Sequence, residues 1–69
     1  MGYLVKFSRG GDDRYYAVDN ADAGDAQLMV HDHCDAGPGE ATQAVKELSR
    51  SDLELYECPS MGLIEVRVG

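Results

Sequence analysis

Two segments of alternating apolar residues, joined by a pair of glycines, constrain the fold of this chain most strongly. YLVKF (residues 3–7) and RYYAVD (residues 14–19) are rich in the aromatic and β-branched residues that favour strands. Between them, Gly10 and Gly11 can adopt the positive φ angles that a tight connection requires. We therefore predict a β-hairpin over residues 3–19 with a six-residue loop.

Residues 21–33 fit a helix better than a strand, although both remain open. Asp19 or Asn20 could cap a helix here, and an aspartate in its first turn would complement the helix dipole. Gly24 weakens such a helix by about 1 kcal/mol relative to alanine. The contiguous apolar residues 28–30 would also suit a short strand. We predict a helix and keep the strand as the alternative.

A second helix is predicted to begin near Pro38 and to end near Arg50. Proline suits the first position of a helix, where its missing N–H costs nothing. Glu40 would lie in the first turn and Arg50 in the last, as the helix dipole favours. The apolar residues follow helical spacing, at Ala41, Ala44, Val45 and Leu48.

The C-terminal part of the chain reads as two strands separated by a turn. Residues 53–58 and 63–68 alternate in polarity, and residues 59–62 contain the turn formers proline, serine and glycine. In the last strand the side chains expected to face the core are Ile64, Val66 and Val68. The predicted order is β-β-α-α-β-β. It indicates one α+β domain over residues 1–69, with an antiparallel sheet of three to four strands and one or two helices packed on one face.

The charge of the chain is large and unevenly distributed. Thirteen acidic residues oppose six basic ones, the net charge is −7 and the pI is about 4.4. No lysine or arginine occurs between Arg14 and Lys46. Direct nucleic-acid binding is not expected, because phosphate contacts require clustered basic residues. A basic protein surface is the natural complement of such a field. The predicted partner-binding residues are Asp19, Asp22, Asp25, Asp32 and Asp35 at the centre of this segment, with Asp12, Asp13 and Glu40 at its margins.

The sequence HDHCD (residues 31–35) raises the question of a metal site. With Cys58 it supplies two histidines and two cysteines, which is a sufficient set for tetrahedral zinc. The spacing does not match the paired ligands of structural zinc sites, and His31 and His33 diverge by about 200° on a helix. They share a face only in a strand, so a small metal-binding regulator remains a third alternative. We expect no metal and no cofactor.

The two cysteines and the N-terminal sequence indicate where the protein functions. Two cysteines suit a reducing compartment with free, half-buried thiols, and a Cys34–Cys58 disulfide is the alternative. Lys6 and Arg9 interrupt the N-terminal region, so no signal peptide is expected, and no segment is long and apolar enough to span a membrane. We predict a cytoplasmic monomer that does not bind membranes.

No pattern of residues indicates catalysis. A catalytic Cys34 would need a base held beside it and a substrate groove, for which a chain of this length leaves little room. Asp12 and Asp13 are adjacent in a loop and do not form an acid–base pair. We therefore expect no enzymatic activity and no catalytic residue.

The acidic segment instead suggests mimicry of a nucleic acid. If residues 21–33 are helical, Asp25 and Asp32 lie about 10 Å apart along one side of the helix. Duplex DNA carries one charge per 3.4 Å along each strand, so such carboxylates can occupy phosphate positions on a basic groove. In this interpretation Asp32 and Asp35 of HDHCD extend a row of acidic side chains that begins earlier in the segment.

A compact, acidic domain of this size, with DDRYYAVDNADAGDAQ (residues 12–27) and HDHCD as its acidic stretches, resembles the small anti-CRISPR proteins of phages and mobile elements, in particular those directed at type I-C systems. The resemblance covers the whole chain in length and charge. It implies a non-enzymatic inhibitor that binds a Cascade complex, at the large subunit's basic site for target DNA, and blocks DNA binding. The alternative is an acidic protein-interaction or halophilic module whose charge serves solubility.

Overall fold

The predicted hairpin forms the centre of the fold. The structure is a computed structural model that describes residues 1–67. Strand β1 (Gly2–Arg9) pairs antiparallel with β2 (Asp12–Val18), in a register that places Arg9 opposite Asp12. Gly10 and Gly11 have φ angles of 54° and 87°, which a tight two-residue turn requires. The hairpin is confirmed, but both strands extend further than predicted, so the loop has two residues instead of six.

Two more strands and two helices complete the domain within residues 1–67. They are α1 (Ala23–His33), β3 (Ala41–Leu48), α2 (Arg50–Leu55) and β4 (Leu63–Val66). The four strands form one antiparallel sheet in the order β3-β1-β2-β4. The predicted α+β class and the antiparallel sheet are thus confirmed. Neither helix in this part of the chain has the length and apolar composition needed to span a bilayer.

Helix α1 confirms the helical prediction for the segment after the hairpin. Its N-cap is Asp22, whose side chain accepts a hydrogen bond from the Asp25 N–H at 3.0 Å. Asn20, one of the two predicted caps, instead accepts from the Asp22 N–H at 2.9 Å and orients the cap residue. Ala26 and Val30 are fully buried against the sheet. The alternative of a short strand over residues 28–30 is wrong.

The helix predicted between Pro38 and Arg50 is wrong, because most of this segment is edge strand β3. Strand β1 has buried apolar residues on both faces, so the backbone groups along both of its edges need hydrogen-bonding partners. Strand β2 pairs with one edge, and β3 pairs with the other. Strand β3 also contains a β-bulge. Ala44 lies opposite Val5 and Lys46 lies opposite Leu4, which leaves Val45 as an extra residue.

The strand predicted over residues 53–58 is also wrong, because helix α2 occupies its first half. Ser49 and Asp52 form a capping box: the Asp52 N–H donates to the Ser49 Oγ, and the Ser49 N–H donates to Asp52 Oδ2, both at 3.1 Å. The interactions of its carboxylate with the Ser49 N–H and then with the Ser49 side chain hold the pKa of Asp52 below its usual value. Glu57, with φ of 58°, follows the helix end. The observed order is therefore β-β-α-β-α-β.

The predicted C-terminal turn and strand are present. The Gly62 N–H donates to the Pro59 carbonyl at 3.0 Å and closes the turn. Strand β4 then pairs with β2, and Ile64 and Val66 pack towards the core as predicted. Val68, the third residue expected to face the core, lies outside the part of the chain that the structure describes.

The core has two layers, one on each face of the sheet. The layer under α1 contains Val5, Phe7, Tyr16, Val18, Ala26 and Val30. The layer under α2 contains Leu4, Ala17, Leu48 and Leu53. Helix α1 packs on one face, as predicted, while the short α2 covers part of the other. The α1 face carries the larger layer and positions the candidate site.

We expect the Ser49→Ala substitution to destabilise the domain through loss of the capping box. Losing a serine N-cap costs about 1 kcal/mol, which lowers the melting temperature of a domain this small by about 4–8 °C. Ser51→Ala is the matched control, because Ser51 is an exposed residue of the same helix. Urea denaturation of the two variants measures the difference. Equal stabilities would show that the box does not hold α2 in place.

Candidate functional site

Four exposed carboxylates lie on α1 and at its two ends. We call them the α1 carboxylates: Asp22, Asp25, Asp32 and Asp35. Asp25 and Asp32 are seven residues apart in one helix, so they are separated by about 10 Å along the axis and by only about 20° around it. The helix thus places both on the same solvent-facing side, in the arrangement expected from the sequence.

Most of the α1 carboxylates have no partner within the protein. In the part of the chain covering residues 1–67, the side chains of Asp25, Asp32 and Asp35 make no hydrogen bond and no ion pair. The Asp22 side chain makes only the capping bond to the Asp25 N–H. Their charges are therefore uncompensated at short range and accessible to another molecule.

The exposed side of α1 also carries a large apolar side chain. Leu28 is 59% exposed and lies between Asp25 and Asp32 at the spacing i, i+3, i+7, which places all three on one side of the helix. Burying a leucine stabilises a complex by about 1.5–3 kcal/mol. This surface combines charge with a central apolar contact.

The other four predicted carboxylates are not part of the same surface. Asp19 accepts a hydrogen bond from the Met61 N–H at 2.8 Å and ties the start of the α1 segment to the turn before β4. Asp13 accepts from the Ser8 hydroxyl at 2.8 Å and lies on the α2 face, whereas Asp12 lies on the α1 face at the hairpin end. Glu40 forms an ion pair with Arg9. The structure therefore brings together four of the eight predicted residues.

Arg9 connects the hairpin to the loop between α1 and β3. Its guanidinium donates hydrogen bonds to both carboxylate oxygens of Glu40 and, at 2.8 Å, to the Cys34 carbonyl at the C-terminal end of α1. It also lies 5.0 Å from the centre of the Phe7 ring, within cation–π distance. The hydrogen bonds from Arg9 and then from the Gly37 N–H lower the pKa of Glu40. Glu40 is thus a structural residue whose charge is already neutralised.

The HDHCD residues do not assemble with Cys58 into a zinc site. Cys34 packs in the α1 layer, where its thiol donates to the Tyr16 hydroxyl at 3.3 Å. Cys58 packs in the α2 layer and donates to the Ala17 carbonyl at 3.4 Å. The sheet lies between the two thiols, which excludes a disulfide in this fold; both cysteines are free. Among residues 1–67 no three His, Cys, Asp or Glu side chains are placed to hold a metal ion.

Two buried groups at these cysteines have raised pKa values. Burial, together with the hydrogen-bond and charge interactions between Tyr16 and Cys34, raises the pKa of Tyr16 to about 12, so its phenol is protonated at neutral pH. Burial likewise raises the pKa of Cys58. Since the thiolate is the nucleophilic form, the raised pKa makes Cys58 less reactive than an ordinary exposed thiol.

A pocket of about 260 Å³ opens where α1 ends above the hairpin. It is lined by side chains from β1, β2, β4 and the end of α1, among them Phe7, Asp12, Arg14, Tyr16 and His33. The His33 and Tyr16 rings meet edge to face, with centroids 5.7 Å apart. This pocket has no signature in the sequence, because its residues come from distant segments with no shared motif.

We expect both thiols to react with a thiol reagent in the unfolded protein without prior reduction. The titration should give two equivalents, because the two cysteines lie on opposite faces of the sheet. In the folded protein Cys58 should react slowly, since its pKa is raised and it is half-buried. A Cys34→Ser variant assigns the slow thiol. A disulfide in protein purified without oxidant would contradict the fold.

The Arg9–Glu40 ion pair should stabilise the folded protein at neutral pH, and this stabilisation should disappear in acid. Because the folded-state pKa of Glu40 is lowered, the pair stabilises the protein fully above the usual carboxyl pKa and ceases to do so as pH falls through the lowered value. Glu40→Gln should therefore lower the melting temperature at neutral pH, and the difference from the wild type should shrink below about pH 4. Glu54→Gln, which removes an exposed carboxylate of α2, should change the neutral-pH melting temperature less. A difference that persists unchanged in acid would rule out the ion pair as its cause.

Comparison with known proteins gives no relative from which a role could be inferred. No protein-family model, no curated protein and no solved structure matches this chain.

Proposed function

We propose that this domain is a non-enzymatic inhibitor that binds a basic, nucleic-acid-binding surface of a partner protein through the α1 carboxylates. The observation that carries the proposal is the exposure of Asp25, Asp32 and Asp35 without any partner among residues 1–67. Unpaired carboxylates repel one another in the free protein, and a basic surface removes that repulsion on binding. The protein acts as a monomer in the cytoplasm.

The spacing of the carboxylates supports mimicry of a DNA strand. The axial distance of about 10 Å between Asp25 and Asp32 equals about three phosphate steps of a duplex, which carries one charge per 3.4 Å along each strand. Asp22 and Asp25 are separated by about 4.5 Å along the axis, close to one step. A groove whose lysines and arginines are spaced for phosphates can therefore pair with several of these carboxylates together.

Leu28 gives the complex a contact that DNA cannot provide. It lies between the two helical carboxylates and is 59% exposed in the free protein. An apolar side chain at the centre of a charged contact excludes water and strengthens the surrounding ion pairs. Such a contact would let a small protein compete with a longer nucleic acid.

The first partner to test is a type I-C Cascade complex, at the basic site for target DNA on its large subunit. The support is the resemblance in length and charge to small anti-CRISPR proteins, together with a helix that presents carboxylates at phosphate-like spacing. The inhibitor would prevent DNA binding by occupying the site and would need no cofactor.

A second candidate function is a solubility or halophilic role for the acidity. Exposed carboxylates also occur away from α1, at Glu47 on β3 and at Glu54 and Glu57 in and after α2. A surface acidic on several sides is what adaptation to high salt produces. In that case the domain should unfold in low salt, where repulsion between its carboxylates is least screened.

The proposal predicts that neutralising the α1 side weakens binding more than neutralising an equal charge elsewhere. The variant Asp22→Asn, Asp25→Asn and Asp32→Asn keeps a good N-cap, since asparagine caps helices as well as aspartate does. Its affinity for Cascade should fall more than about tenfold, or 1.4 kcal/mol. The matched control is the triple variant Glu47→Gln, Glu54→Gln and Glu57→Gln, which should lose less affinity. Leu28→Ala should weaken binding with little change in its salt dependence.

The measurement is competition with duplex target DNA for immobilised Cascade at several salt concentrations. Wild-type protein should displace the DNA, and its affinity should fall as salt rises, because exposed charges are screened over about 8 Å at physiological ionic strength. Equal affinities for wild type and both triple variants, or simultaneous binding of DNA and protein, would refute the proposal. Unfolding of the wild type in low salt would favour the halophilic role.

A further inference from the structure

The pocket lies beside the end of α1, on the part of the sheet face that the helix does not cover. Eleven helical residues span about 16 Å, whereas the eight residues of β1 span about 26 Å. The helix covers the part of the sheet next to Val18 and ends at His33, near the hairpin turn. The uncovered end of the α1 face forms the floor of the pocket.

The inner part of the pocket is lined by aromatic side chains that core packing holds in place. Phe7 and Tyr16 belong to the α1 core layer and are only 2% and 3% exposed. His33 forms the wall on the helix side and packs edge to face on Tyr16. The volume of about 260 Å³ lies just below the range of about 300–1,000 Å³ typical of ligand pockets, so the pocket suits a small metabolite.

The rim carries two accessible charges of opposite sign. Arg14 and Asp12 are two residues apart on β2, so both lie on the α1 face, about 7 Å apart along the strand. The Arg14 side chain is 62% exposed, and its one ion-pair partner in the described part of the chain, Glu65, is 3.8 Å away. Asp12 makes no ion pair and no side-chain hydrogen bond within residues 1–67. Each charge can therefore bind a complementary group.

A buried hydroxyl adds a hydrogen-bond donor. The Tyr16 hydroxyl forms a hydrogen bond with the Cys34 thiol at 3.3 Å and has no other side-chain partner among residues 1–67. A phenol can both donate and accept, so this hydroxyl can make a second hydrogen bond, to a ligand oxygen in the pocket that Tyr16 lines.

We propose that this pocket binds a small zwitterion, a free α-amino acid, with its carboxylate on Arg14 and the Tyr16 hydroxyl and its ammonium group on Asp12. An anion alone would be repelled by Asp12, Glu65 and the net charge of −7. A cation alone would be repelled by Arg14. A zwitterion satisfies both rim charges and leaves its side chain against His33. This site is separate from the α1 carboxylates and does not depend on the proposed inhibitor function.

The test is titration of the isotope-labelled full chain with individual common L-amino acids, followed by amide chemical shifts. One or more of them should shift the signals of residues around the pocket with a submillimolar dissociation constant. The amine and the carboxylic acid that correspond to the best-binding amino acid should each bind at least about tenfold more weakly, a loss of 1.4 kcal/mol for each missing ion pair.

Variants assign the binding to the pocket. Arg14→Gln and Asp12→Asn should each weaken binding about tenfold, and both residues are exposed, so the fold should survive. Arg50→Gln and Glu54→Gln remove one charge of each sign away from this pocket and should leave the affinity unchanged. The proposal is overturned if no amino acid shifts these signals at millimolar concentration. It is equally overturned if the amine or the acid binds as tightly as the amino acid, or if the two pocket variants bind like the wild type.

Discussion

The burial of β1 on both faces and its pairing along both edges is the constraint on which the rest of the fold depends. Val5 and Phe7 contribute to one core layer and Leu4 to the other. A strand in that position needs partners for its backbone N–H and C=O groups on both edges, because its central residues are buried. The hairpin pairs one edge and β3 pairs the other, so this need overrides the local preferences of residues 41–48. A chain of 69 residues has little other core from which to build.

The sequence was a good guide where local signals and tertiary demands agreed. The hairpin has its glycine pair, α1 has aspartate and asparagine at its start, and β4 has alternating polarity. Local patterns failed where a non-local requirement decided the outcome. Ala41 and Ala44 favour a helix by propensity, but their small side chains are tolerated in a strand, and the unpaired edge of β1 selects the strand. The capping box of Ser49 and Asp52 was visible in the sequence, and it outweighed the alternation of residues 53–58.

The exposure of the α1 carboxylates was predictable for a different reason than the fold. The absence of lysine and arginine between Arg14 and Lys46 is a property of the sequence, and once α1 is helical its aspartates lie on the solvent side. The sequence does not indicate which carboxylates already have a hydrogen-bonding or ion-pair partner within the protein. Glu40 is neutralised by Arg9, 31 residues earlier in the chain, and Asp19 binds a backbone N–H 42 residues later. Such long-range contacts leave no periodic signal, and the same is true of the pocket at the end of α1.

The extra residue at Val45 has a consequence for how the protein behaves at high concentration. Strand β3 is an outer strand of the sheet, and a regular outer strand of eight residues is a template onto which a second chain can add. The bulge bends the strand and disrupts the even spacing of its backbone groups, and Lys46 beside it adds a charge that an incoming strand would have to bury. This irregularity thus acts against edge-to-edge aggregation of the folded domain.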